Sequence, residues 1–550
     1  MDSRAEELIK QSDKLFEQRP RLVNFWQEVA EQFYPERADF TVTKQIGDQY
    51  ADNLMTSYPV LVRRDLGNSI SSLLRPTQKE WFSMRAAREE REDQPARLWL
   101  EQMTGRLKRA MYDPAAMFTR AMKEGDHDYA AFGQTVISVE LNRARTNLLY
   151  RCHHLRDVVW CENAEGKIDR VDRKWKARAD HLVKLFGKKV HPEVLRCCTS
   201  GNDPFQEFDI RHIVLTWDNY PGMTGRQTPW VSVYVDVKNQ HVIEQVGVWN
   251  KIYCVPRWQT VSGSQYAYSP AVTVGLPDAR LLQAMTSTLL EAGEMAVRPP
   301  MIAKADVIRG DLGLYSAGLT IIDADYDEQL GEALRPIKQD FSGIPIGVDM
   351  QRDIRAMLSE AFYINKLTLP PPGKDMTAYE IGQRIQEYIR QALPLFEPME
   401  VDYNGQIVEE SFDICLRNGV FGTRDEIPDS LQGADIRFQF ESPLHEAIER
   451  QKGSKMAEVR DILLTSEQIK QLNEPNVNSD AMLRDVLKGV HAPAAWLNSE
   501  EDVAKEQQRR AAQAQGEAMI QRAAQVAQIA EPAANASKAM AEAEAARRAA

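Results

Sequence analysis

No apolar run in this 550-residue chain approaches the length needed to span a bilayer, so a helical membrane anchor is not expected. The opening Met1-Asp2-Ser3-Arg4-Ala5-Glu6-Glu7 does not resemble a secretory signal. Cysteine is scarce. The six residues are scattered apart from the adjacent Cys197-Cys198, form no disulfide framework, and fit folding in a reducing cytoplasm. Positive charge is outweighed, with 68 Lys and Arg against 80 Asp and Glu and a net charge of −12. That balance argues against a protein whose whole surface grips phosphates. It leaves room for one that handles DNA without holding it, because an acidic wall repels the duplex backbone and lets it slide past.

Catalytic signatures are missing too. No glycine is followed at the required spacing by Gly-Lys-Ser/Thr, so an ATP-driven motor is not expected. Neither a Gly-x-Ser-x-Gly elbow nor a Gly-x-Gly-x-x-Gly fingerprint occurs. His445-Glu446-Ala447-Ile448-Glu449 lacks the second histidine of a zincin and reads as a solvated helix face. Cys152-His153-His154 with Cys161 offers zinc-ligand types, but neighbours on a strand point to opposite faces. Core cysteines and surface histidines are the better reading. Asp323-Ala324-Asp325-Tyr326-Asp327-Glu328 begins like a calcium loop but lacks its position-six glycine and position-twelve glutamate, leaving a solvated acidic turn. The expectation is a chain with no catalytic residues, metal or cofactor, not an enzyme.

What is present is a change of period. Leu22, Phe25, Trp26 and Val29 make a helical stripe ending at Tyr34-Pro35, and further helices are expected over about 53–74, 95–111 and 117–132. At Gly133 the pattern turns to alternation, and strands are expected over 135–140, 147–152, 157–162, 168–176, 212–217, 231–237, 242–248 and 252–255. One short helix, about 177–186, interrupts them and stops at Gly187. Helical spacing returns after Ser269-Pro270, where Leu281, Leu282, Met285, Leu289, Ala292 and Ala296 form one apolar face ending at Arg298-Pro299-Pro300. A Gly-punctuated insertion, 301–345, follows. Ile354, Met357, Leu358, Ala361 and Phe362 then mark one face of another helix.

Leu369-Pro370-Pro371-Pro372-Gly373 breaks that helix, because proline lacks the N–H and its ring clashes with the preceding turn. Thr377-Ala378-Tyr379-Glu380 has the capping-box pattern of a new helix, carried on by Ile381, Ile385, Tyr388, Ile389 and Ala392. Pro394 and Pro398 should kink it; Ile407, Val408, Ser411, Phe412 and Cys415 resume it, and Arg417-Asn418-Gly419 stops it. A strand is expected over 436–440. From about Glu501 the chain is rich in Ala, Gln, Glu and Arg, with few larger apolar residues (Met519, Ile520, Val526, Ile529). Such a tail either packs against copies of itself or stays frayed.

The order of these pieces resembles the portal proteins, or head-to-tail connectors, of short-tailed double-stranded DNA bacteriophages. The resemblance is carried by Asn24-Phe25-Trp26-Gln27-Glu28 through Tyr34-Pro35, and by Asp65-Leu66-Gly67-Asn68-Ser69 through Arg75-Pro76 with Trp81-Phe82. Further on it is carried by Pro256-Arg257-Trp258 with Tyr266-Ala267-Tyr268-Ser269-Pro270, by Met376-Thr377-Ala378-Tyr379-Glu380, and by Phe440-Glu441-Ser442-Pro443-Leu444. Asn404-Gly405 departs from it, a costly pair inside what should be one continuous helix.

The resemblance implies an α+β portal fold. Residues 1–132 would be the helical part of a wing, 133–265 its β-rich part, 266–298 and 346–366 two stem helices, and 299–345 a small α/β clip between them. A tunnel loop (367–376), a long kinked helix (377–419), a return to wing and crown (420–500) and a helical crown or barrel tail (501–550) would follow. It implies a ring, usually of twelve subunits, at one capsid vertex in the virion, assembled in the host cytoplasm. Double-stranded DNA would pass through its channel during packaging and ejection. Partners would be the terminase packaging motor, tail adaptor or neck proteins, and capsid and scaffolding proteins, with no membrane. Lys366, Leu369, Pro370, Pro371, Pro372, Gly373 and Lys374 would face the DNA, the two lysines giving positive rings in an acidic conduit. Arg309, Asp323, Asp325, Asp327, Arg335 and Lys338 would serve docking at the clip. The alternative is another phage neck or tail structural protein.

Overall fold

A computed structural model describes residues 3–45, 47–51, 53–77, 79–88, 93–199, 203–220, 228–299, 301–303, 334–336, 342–364, 397–423 and 426–440, with scattered positions from 505 to 548. The described chain is mixed helix and antiparallel sheet. It runs α1 (Ser3–Glu17), α2 (Pro20–Phe33), α3 (Tyr58–Leu74), β1 (Phe82–Ala86), α4 (Gln94–Met111), α5 (Phe118–Phe132), β2 (Val136–Leu141), β3 (Leu148–His153), β4 (Val158–Glu162) and β5 (Ile168–Arg178). Then come α6 (Ala179–Phe186), α7 (Pro192–Cys197), β6 (Glu207–Thr216), β7 (Trp230–Asp236), β8 (His241–Val248), β9 (Tyr253–Cys254) and α8 (Leu276–Val297). β10 (Met301–Ala303), β11 (Leu334–Pro336), α9 (Gly343–Ala361), α10 (Gln406–Arg417) and β12 (Ile436–Phe440) complete the order.

Two compact units divide the chain: Met1–Ser83 with Thr104–Gly422 and Phe438–Ile448, and Met84–Met103 with Thr423–Arg437 and Glu449–Ala550. In the second, Asp93 Oδ1 accepts from Ala96 N (2.9 Å) at the start of α4 and from Ser430 Oγ (2.9 Å). The Asp93 carboxylate there satisfies an amide that the first helical turn cannot.

The first unit holds the strands that the alternating pattern foretold. β4 to β8 form a five-stranded antiparallel meander in chain order, and β3-β2-β9 form a smaller sheet. From Ile210 to Leu215 strand β6 is buried at every position, because both its faces are covered. Ile213 and Leu215 pack with Val231, Val233 and Val235 against Ala5, Leu8 and Ile9 of α1. Phe208 and Ile210 pack against Leu182 of α6 and Val194 of α7. Neither α1 nor α7 stood out in the sequence pattern. Each large side chain so buried contributes about 1.5–3 kcal/mol.

The turn from helix to sheet falls where the sequence placed it. Gly133 caps α5 at φ +77°, a left-handed conformation, and a Cβ there would come within 2.5 Å of the Tyr268 carbonyl carbon. The same α5 carries Phe132 into an aromatic core with Trp26 and Phe40, whose ring centroids lie 6.3 and 5.2 Å from it. The Cys152-His153-His154 triplet is split as strand geometry requires. Cys152 Sγ approaches Asp128 Oδ2 (3.5 Å), whereas His153 Nε2 lies 2.9 Å from Ser138 Oγ. His153 is not the surface residue expected, for burial beside Arg173 holds its pKa well below the usual imidazole value.

Candidate functional site

The feature that distinguishes this body is the pair of helices α8 and α9, which pack on each other and are anchored at one end. Gln351 Nε2 donates to Thr286 Oγ1 (2.6 Å) across the pair. Gly347 lets the helices approach, since a Cβ there would lie 2.8 Å from Leu289 Cδ2. α8 is entered through a π-helical turn, Ala271–Gly275, started by Ser269, whose Oγ donates to Ala131 O (2.7 Å) and accepts from Val272 N (3.2 Å). A Cβ on Gly275 would stand 2.9 Å from the Phe362 ring and 3.1 Å from that of Phe33. The glycine seats the entrance of α8 against the aromatic contact that closes α9, where Phe33 and Phe362 lie 5.3 Å apart.

Polar clamps reinforce the anchor. Gln283 accepts from the amides of Met55 (2.8 Å) and Thr56 (2.9 Å) and donates to Thr56 O (2.9 Å). Tyr58 donates to Arg355 O (3.0 Å) and accepts from Ser359 Oγ (2.5 Å), and Arg280 pairs with Glu28. On α9, Ile354, Leu358 and Phe362 are buried at i, i+4, i+8.

The rest of the apolar surface of the pair is uncovered. Leu281, Thr288 and Met295 follow one another at seven-residue spacing on α8 and all are exposed. On α9, Ile346, Met350 and Met357 form a second exposed stripe. Leu281 (50 % exposed) and Met357 (54 % exposed) thus part from Leu282 and Leu358, the buried members of the apolar faces with which their periodicity grouped them. Leu290 and Val297 lie on the face of Ala279 and Gln283, farther along α8, and are also exposed. The helices carry no lysine: α8 has three acidic residues to one arginine, and α9 three to two.

From residue 397 the chain passes through a second π-helical turn, Glu400–Gly405, straight into α10. The costly Asn404-Gly405 pair therefore does not break the helix; it forms the π-turn. Asn404 is buried because it accepts from Arg75 Nη1 (2.6 Å) and donates to Leu74 O (3.4 Å). Arg75 also pairs with Asp126 and lies 4.7 Å from the Tyr403 ring centre. Burial pushes the Asp126 carboxyl up, against the pull of Arg75. Gly125 makes room for Tyr403, whose hydroxyl would stand 2.7 Å from a Cβ there. Tyr129 lies 5.0 Å from Tyr403 and stacks on Trp258 at 5.2 Å, and Trp258 stacks at 6.5 Å on Tyr363, just beyond α9. Both ends of the stretch 365–396 are thus held on one body.

The expected tunnel-loop residues Lys366, Leu369, Pro370, Pro371, Pro372, Gly373 and Lys374 lie outside the described residues, as do Arg309, Asp323, Asp325, Asp327 and Lys338. Arg335 falls in β11, opposite Ile302 of β10 in an antiparallel pair. Sequence reasoning did not single out Gln283, Gly275 or Arg75 as anchors of the helices. Arg75-Pro76 was legible as a helix end and as part of a family motif, but not as an anchor, since the partners of Arg75 lie 51 and 329 residues away.

With this geometry in hand, comparison with known proteins supplies the family. Residues 5–497 match the family described as bacteriophage head to tail connecting protein. The chain belongs to this family, and the likeness to phage portal proteins read from its motifs holds. Its function is connection of the phage head to the tail, as a structural component of the virion. It is similar to the portal protein of Salmonella phage epsilon15, with 19% identity over 460 residues, 81% of this chain and 80% of that one. A chain in the solved virion of a native gene transfer agent particle is similar at 10% identity with a TM-score of 0.35, covering 78% of this chain and 89% of that one. That likeness is too loose to carry an argument.

Proposed function

We propose that the protein works as a ring, of about twelve subunits by analogy with portals, set at one capsid vertex with duplex DNA passing through its centre. The observation that carries this reading is the α8–α9 pair, anchored at one end and bearing exposed apolar stripes on both helices. A cyclic ring repeats one heterologous contact, so each subunit needs two different complementary faces. The stripe of Leu281 and Met295 and that of Ile346, Met350 and Met357 supply them, and contiguous apolar surface of this kind marks a protein contact.

In this reading 266–298 and 346–366 are the stem, 133–265 the β-rich wing with 1–132 packed on it, and 299–345 the clip to which the packaging motor and tail adaptors dock. The stretch 367–376 faces DNA from ends held by Tyr363 and Tyr403. The acidic excess of both stem helices gives a wall that duplex DNA slides past, and Lys366 and Lys374 offer brief contacts to phosphates. Negative-stain imaging of the purified protein tests the reading. Rings with an open axial hole are expected, and a protein that stays monomeric at high concentration overturns it.

A further inference from the structure

Four aromatic rings form a column between the exit of α9 and the π-turn that enters α10. Tyr363 stacks on Trp258 (centroids 6.5 Å apart, interplanar angle 20°), Trp258 on Tyr129 (5.2 Å, 19°), and Tyr129 meets Tyr403 at 5.0 Å and 36°. Positions 363 and 403 are thus joined through two rings that belong to neither segment. The middle of the column is fixed from both sides. Trp258 N donates to Gly133 O (2.7 Å) at the cap of α5, and the neighbouring Arg257 N donates to Asp402 Oδ2 (2.9 Å) inside the π-turn. Asp402 Oδ1 accepts from Gln406 Nε2 (2.7 Å), which ties the same segment to the first residue of α10.

Both ends of the column depart from plain α-helical geometry. Tyr363 has φ +58°, the left-handed region where glycine is usual after a helix, and a bulky side chain there is strained. At the other end the turn Glu400–Gly405 is π-helical, a form that occurs chiefly as single turns inside α-helices, often at functional sites. The cost of holding a tyrosine left-handed and the gain from stacking its ring are of similar size, so neither dominates. The exit of α9 therefore depends on the stack: with no Trp258 ring to hold it, the backbone at 363 is released toward helical angles. Tyr129 is fully buried between Trp258 and Tyr403, and a close-packed interior leaves it no room to stay behind when either neighbour moves.

We infer that Trp258 is a mechanical link: the conformations of the α9 exit and of the π-turn are coupled through it, and release at one end loosens the other. The link is complete within one subunit and stands apart from the ring reading.

The test is amide hydrogen exchange, read by mass spectrometry, on the full-length protein and its variants. Tyr363→Leu, at the half-buried end of the column, should speed exchange about tenfold both at 358–363 and at 401–406, with the amides of β6 unchanged. Tyr363→Phe keeps the ring and should leave both stretches as in the parent. Trp258→Leu should loosen the same two stretches, and adding Tyr363→Leu to it should change 401–406 no further, since a broken link transmits nothing. Exchange that rises at 358–363 alone in Tyr363→Leu, or at neither stretch, overturns the inference. So does a double variant whose effects at 401–406 simply add. If Trp258→Leu fails to fold, Tyr363→Leu and its rescue by Tyr363→Phe decide the matter by themselves.

Discussion

In the body around α5, large side chains disappear from solvent: Trp26, Phe33, Tyr129, Trp160 and Tyr253 are all fully buried. On the α8–α9 pair, residues of the same apolar kind, Leu281, Leu290, Met295, Ile346, Met350 and Met357, stand in solvent although the helices that carry them are regular. The body satisfies its own hydrophobic pattern within one subunit; the pair satisfies only the rows that meet at its base. A helix with one face packed and another apolar face exposed is a contact surface awaiting a partner. The polar groups differ in the same sense. Arg75, Asp126 and Asn404 are closed in on one another, whereas the charged residues of the pair stay largely in water.

This contrast can be broken most severely at its hinge point. Arg75→Met should destabilise the subunit by about 3–5 kcal/mol, because Asp126 and Asn404 would be left buried without their partner. Chemical denaturation measures it, and a loss under 1 kcal/mol would show that the network is not structural. Phe362→Ala opens a cavity between Gly275 and Phe33 and should cost about 3–5 kcal/mol, at the lower end if the base of the helix pair collapses onto it.

Acid should attack the body before the pair. His127 is held at about 4 by burial and by Arg63, Lys123 and Arg64, against an ordinary value of 6.5. Between those values the unfolded chain takes up a proton that the folded one refuses, so stability falls as pH drops from 6.5 toward 4 and then levels off. His212 and His153, driven well below their usual range by burial, act in the same direction. Glu410, pushed up to about 7, opposes them, since it loses stability as pH rises from 4.5 to 7. Comparing His127→Gln with the parent across this window isolates one histidine: the variant's pH dependence should be shallower.

The smallest effect on folding should come from the stripes. Leu281→Asp with Met357→Asp lies in solvent and should shift subunit stability by under about 0.5 kcal/mol per site. Assembly should nevertheless fail. Sedimentation of the variant beside the parent gives the answer, and rings that persist would move the subunit contact elsewhere.

Much of this was legible along the chain. Gly133 as the switch from helix to strand, the stripes of α2 and α10, the helix α5, the strands of the β-rich stretch, and the stop at Asn418-Gly419 follow from local periodicity and turn chemistry, which short-range contacts enforce. Motif order sufficed to mark the family. The sidedness of α8 and α9 was not legible, because an apolar residue at helical spacing looks the same whether a neighbour covers it or not. Leu281 and Met357 were read on the same apolar faces as Leu282 and Leu358, which are buried, and are themselves exposed.

By itself, then, the sequence determined most of the element order among the described residues, the mixed fold and the connector family, all of which rest on residues near one another or on motif succession. Only the tertiary structure decided that Asn404-Gly405 forms a π-turn instead of a break, and that Arg75 is its keystone. The reason is physical. A buried guanidinium and a buried amide are each costly alone and become tolerable only when the fold brings residues 75, 126 and 404 together.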